Sequence, residues 1–125
     1  MGKGQYLDLA CVNDAKAGWN ACEEEACTRR STRITRAEIK RDNALVIATD
    51  TYFDCIENAP TEADQQHCYE IAQAAIDSAW AVYSNSIALA DMIYTSEVLT
   101  CDFIYNDEVS ECCYACAPWD TEPPE

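Results

Sequence analysis

A chain of 125 residues is long enough for one domain with a modest core, and 23 acidic against 8 basic side chains give it a net charge of −15. That balance argues against nucleic acid as a partner, which needs a cationic surface. The absence of any run of about 18 apolar residues excludes a membrane-spanning helix.

The opening Met1-Gly-Lys-Gly does not start a signal peptide, because no apolar stretch follows it. Nine cysteines with a single histidine, His67, and only one Cys-x2-Cys pair fit disulfides in an oxidising compartment better than zinc. An export signal is then expected upstream of residue 1 or already removed. The odd count leaves at least one cysteine free or paired between chains.

A first helix is expected over about residues 7–58. From Cys11 onward the sequence falls into blocks of eleven: position 1 reads Cys11, Cys22, Arg33, Ala44 and Cys55, and position 5 reads Ala15, Ala26, Ala37, Ala48 and Ala59. Eleven residues make three turns at 3.67 per turn, so equivalent positions stay on one face of a straight or slightly right-handed helix. Pro60 cannot continue that helix and disfavours it at Ala59. Thr61, with Asp64 three residues on, then reads as the N-cap of a second helix over about 61–115.

The second helix carries the same period more strongly. Position 1 reads Cys68, Ala79, Ala90, Cys101 and Cys112. Position 4 is Ile71, Val82, Ile93 and Ile104, position 5 is Ala72, Tyr83, Tyr94 and Tyr105, and position 9 is Ile76, Ile87, Val98 and Val109. Residues 1–117 are therefore expected to form one helical hairpin domain, followed by an acidic, proline-containing tail over 118–125.

Two helices joined by a short turn pack antiparallel, so facing residues have numbers with a constant sum. Cys11 and Cys112, Cys22 and Cys101, and Cys55 and Cys68 share one such sum. The expected fold is all-α: a long antiparallel hairpin with eleven-residue periodicity, stapled by three inter-helix disulfides. A disulfide needs Cα atoms about 4.4–6.8 Å apart, and the alanines at position 5 supply the room for that approach. Cys113 and Cys116 are expected to bridge to each other, leaving Cys27 as the free or intermolecular thiol. Paired cysteines on a helical hairpin resemble the twin CX9C proteins, but ten residues separate Cys11 from Cys22 and Cys101 from Cys112 here, so no family is assigned.

Six basic residues cluster in the first helix: Arg29, Arg30, Arg33, Arg36, Lys40 and Arg41. Arg29, Arg33, Arg36 and Lys40 share one face, and the register sets them level with Tyr94, Ala90, Ile87 and Tyr83. Their stems can pack on tyrosine rings, or the group can form a cationic belt that docks an acidic segment such as Glu23–Glu25 of a neighbouring copy. The half nearest the turn, with Phe53 and Trp80, is apolar nearly all round. One hairpin buries only one stripe per helix, so either another chain covers the rest or the helices bend back near 41–43 and 84–86 into a compact four-helix bundle.

No catalytic set, cofactor motif or metal site stands out. His67 adjoins Cys68, which the register assigns to a disulfide, and acidic pairs such as Asp107 and Glu108 read as solvated helix surface. The expected function is that of a non-enzymatic, secreted structural or interaction protein that associates with copies of itself, as a filament or fibre subunit. The alternatives are a cysteine-rich Cu(I)-binding helical bundle, since thiolates favour Cu(I), and a secreted signal or inhibitor acting through the basic belt.

Overall fold

The structure, a computed structural model, describes residues 8–112. It is an all-α hairpin of two long helices packed against each other and joined by three disulfides. Helix α1 spans Leu9–Glu57 and helix α2 spans Glu62–Glu111.

Neither helix contains proline, and Gly18 is the lone glycine in the two of them. Both continue unbroken through 41–43 and 84–86, so the bent four-helix alternative does not occur. Asn and Ser in those stretches cost only a few tenths of a kcal/mol each in a helix interior, far less than proline.

Side chains define the helix ends. The Asp8 carboxylate accepts hydrogen bonds from the backbone N–H groups of Ala10 and Cys11, at 3.1 and 3.3 Å. These satisfy donors that the first turn leaves without partners. Thr61 caps α2: its hydroxyl accepts the Asp64 N–H at 3.1 Å. Asn58 Nδ2 donates to the Asp54 carbonyl at 2.9 Å, and the Asn58 and Ala59 N–H groups donate to the carbonyls of Cys55 and Ile56 as α1 ends before Pro60.

The described chain packs as two units, residues 8–29 with 93–112 and Arg30–Met92. The first unit holds Cys11–Cys112 and Cys22–Cys101, with Cα atoms 5.5 and 5.8 Å apart. The Asp8 N–H donates to the Cys112 carbonyl at 3.1 Å across its open end. Buried Ala15, Ala26, Cys101 and Cys112 form its interior. The second unit holds the turn and Cys55–Cys68, Cα atoms 5.7 Å apart. Its interior is Ala37, Ala48, Cys68, Ala72, Ala79 and Ala90.

In both units the buried residues are alanine and cysteine alone. The eleven-residue period explains which ones: Ala15, Ala26, Ala37 and Ala48 recur on α1, and Cys68, Ala79, Ala90, Cys101 and Cys112 on α2. Side chains this small let two backbones approach closely enough for cystine to bridge them. They also bury little apolar area, so the covalent links carry much of the stability.

Candidate interaction surface

No large apolar side chain among the described residues is fully buried: Ile34, Leu45, Ile56, Ile76, Ile87 and Ile93 are half-buried beside the seam, and others are exposed. Leu9, Leu99, Phe103 and Ile104 are exposed in the first unit, with Phe103 at 72%. Ten large apolar residues are exposed in the second, among them Met92 at 69%, Ile47 at 65%, Phe53 at 59% and Trp80 at 46%. Scattered exposed leucines need no explanation, but a contiguous apolar patch marks an interface. The second unit is therefore where an interaction surface is to be sought.

A groove of about 520 Å³ runs between α1 and α2 within this unit. Ala44, Ala75 and the Cys55–Cys68 disulfide form its small-residue lining; Ile47, Ile71 and Val82 stand beside it, and Lys40 and Arg41 mark the end away from the turn. The groove exists because the seam residues are too small to fill the space between two helices. A shallower depression involves Tyr52, Tyr69 and Ile76.

Arg41 organises an aromatic cluster. Its guanidinium carbon lies 4.5 Å from the centre of the Tyr83 ring and 5.0 Å from that of Trp80. The two rings meet edge to face, 5.8 Å apart. Arg41 Nε donates to Asp42 Oδ1 at 2.9 Å, and that hydrogen bond raises the pKa of an already permanent cation. The stacking of an arginine on tyrosine thus occurs at Arg41 and not at Lys40. A sum of residue numbers sets height along the hairpin, whereas one residue further on turns a side chain by about 100°.

Two further members of the basic cluster form ion pairs with α2. Arg30 Nε donates to Asp91 at 2.7 Å within the second unit. Arg29 belongs to the first unit, where its Nε reaches Glu97 at 3.0 Å. Arg33 is half-buried, and Arg36 and Lys40 are exposed. Phe53 packs on Tyr52 with ring centres 5.7 Å apart. Arg29, Arg30 and Arg41 are held by acidic neighbours on the chain itself.

Besides the pairs of Arg29 and Arg30, two cross-helix contacts of Trp19 lie outside the sequence expectations. In the first unit Trp19 Nε1 donates to Asp102 Oδ1 at 2.7 Å, and the Trp19 ring lies 5.9 Å from that of Tyr105. The signal was available, since both pairs have residue numbers summing within two of the disulfide value.

The pairs Cys11–Cys112, Cys22–Cys101 and Cys55–Cys68 are disulfides, and Cys27 is an exposed free cysteine. Cys113, Cys116 and the 118–125 tail lie outside the described residues. His67 is exposed beside the cystine-bound Cys68, so no thiol–imidazole pair forms there. Among the described residues, no group of three or more His, Cys, Asp or Glu side chains is placed to hold a metal ion, and no helix is long and apolar enough to cross a membrane. No family model, curated protein or solved structure matches the chain.

Proposed function

We propose that this chain is a non-enzymatic, secreted structural or interaction protein that associates with copies of itself, as the subunit of a filament or fibre. One observation carries the reading: the fully buried residues are all alanine or cysteine, while fourteen large apolar side chains are exposed. A protein that buries so little within itself gains most of its available apolar burial by association. Three cystines on a helical scaffold are the mark of an oxidising compartment, which supports an extracellular setting. The Cu(I) alternative needs inward thiolates, and six cysteines are already joined in disulfides.

Light scattering and electron microscopy of the oxidised chain at micromolar concentration test this reading. Mass should grow with concentration, and Arg36→Glu or added salt should change it by altering contacts made through exposed charge. A monodisperse monomer, indifferent to concentration, salt and that substitution, would overturn self-association and favour a monomeric signal or inhibitor.

A further inference from the structure

We infer that the groove of the second unit is a two-fold self-docking site: a second copy of this chain lies on it antiparallel, Ile47 beside Ile47 at the dyad, with Lys40 of each copy against Asp54 of the other. The inference rests on the self-association reading above and specifies its surface, partner and symmetry.

The groove has the spacing of a helix-packing face. Its α1 side runs from residue 37 to 55 and includes 37, 40, 44, 47 and 51, and its α2 side runs from 68 to 86 and includes 71, 75, 78, 82 and 86. Such steps of three and four form the stripe by which one helix meets another. Small residues along the seam leave a channel, while Ile47, Ile71 and Val82 project beside it, each about half exposed or more. A surface carrying both a channel and ridges can mesh with a copy of itself. A small apolar ligand would remain wet along the open side of the groove, whereas a second helical pair can cover its length.

The charges select the orientation. No acidic residue lines the groove, and Lys40 and Arg41 stand at one end. Lys40 is exposed and makes no ion pair among the described residues. Exposed Asp54 lies two seven-residue steps beyond Lys40, with Ile47 midway, and exposed Asp64 lies seven residues before Ile71. One end of the stripe is basic and the other acidic.

A dyad at Ile47 relates Lys40 and Asp54 of opposite copies, because each lies seven residues, about 10 Å, from the centre. The opposite-charge contact then forms twice, as in any isologous interface. A parallel pair would instead oppose Lys40 to Lys40 and Asp54 to Asp54. The antiparallel pair leaves Ile39, Val46 and Phe53, a separate exposed line at seven-residue steps on α1, for contacts that extend the assembly.

Sedimentation equilibrium of the full oxidised chain reads the outcome. Ile47→Asp should weaken the first association step by about a hundredfold or more without changing helicity, as this site is exposed and at the dyad, and Val82→Asp, exposed but nearer the basic end, should weaken it less. Lys40→Asp should weaken it by about tenfold, and adding Asp54→Lys in the same chain should restore it, as a compensating pair requires. With Cys27→Ser in both, Ile47→Cys should link two copies covalently in air, and Val46→Cys should not. Oligomers that keep their strength in Ile47→Asp and fail to link through Ile47→Cys would overturn this docking site while leaving self-association in place. A monomeric wild-type chain at about 100 μM, well above the micromolar range expected of a specific pair, would overturn both. Stoichiometric binding of an apolar dye to such a monomer, lost in Ile47→Asp, would assign the groove to an apolar ligand instead.

Discussion

Removing the outermost disulfide by the double substitution Cys11→Ala/Cys112→Ala tests how the rungs share stability. Its sequence separation is 101 residues, and a lone crosslink closing about 100 residues would stabilise by about 4.7 kcal/mol in the chain-entropy account. Cys22–Cys101, however, already closes all but the outer segments. The loop released is only residues 11–22 with 101–112, about 22 residues, so the expected loss is about 3 kcal/mol. It should fall on the open end, where buried Ala15, the backbone hydrogen bond from Asp8 to residue 112 and the contacts of Trp19 with Asp102 and Tyr105 remain to hold the helices together. Hydrogen exchange monitored by mass spectrometry is the assay, since local opening need not be two-state with global unfolding. Amides over 9–18 and 105–111 should lose about a hundredfold protection, and those of 44–80 should be unchanged. Unaltered exchange at the open end, or equal loss near the turn, would refute the nested arrangement.

The alanine seam predicts that Ala26→Leu, at a residue with 0% exposure, destabilises the first unit by about 1–3 kcal/mol through overpacking. Ala88→Leu, at an exposed position, should be nearly neutral; chemical denaturation followed by ellipticity compares the two, and equal effects would argue against a tight seam. Thr61→Ala removes the hydroxyl that accepts the Asp64 N–H and should cost about 1 kcal/mol, read as faster exchange in the first turn of α2. Asp102→Ala leaves the part-buried Trp19 indole N–H without its 2.7 Å partner; a loss of about 1–2 kcal/mol is expected, with a shifted tryptophan emission, while Asp102→Asn should retain most of both.

The sequence by itself determined the elements and their register. Pro60 and Thr61 set the break, because proline ends a helix and threonine caps one. The eleven-residue recurrence of Ala15, Ala26, Ala37 and Ala48, with that of Cys68, Ala79, Ala90, Cys101 and Cys112, identified the two seams. The shared sum of three cysteine pairs set the height at which every residue meets its partner. That is possible in a hairpin because linear spacing maps directly onto height, about 1.5 Å per residue.

Only the tertiary structure decided what lies around the seam. Arg41, and not Lys40, stacks on Tyr83 and Trp80, since height alone does not say which flank a side chain occupies. The helices continue through 41–43 and 84–86 because their asparagines and serines merely weaken a helix, as a proline would not. The groove beside Ile47, Ile71 and Val82 follows from the space that alanine and cystine leave unfilled once two backbones are brought together, a volume that depends on both helices at once and is written in neither alone.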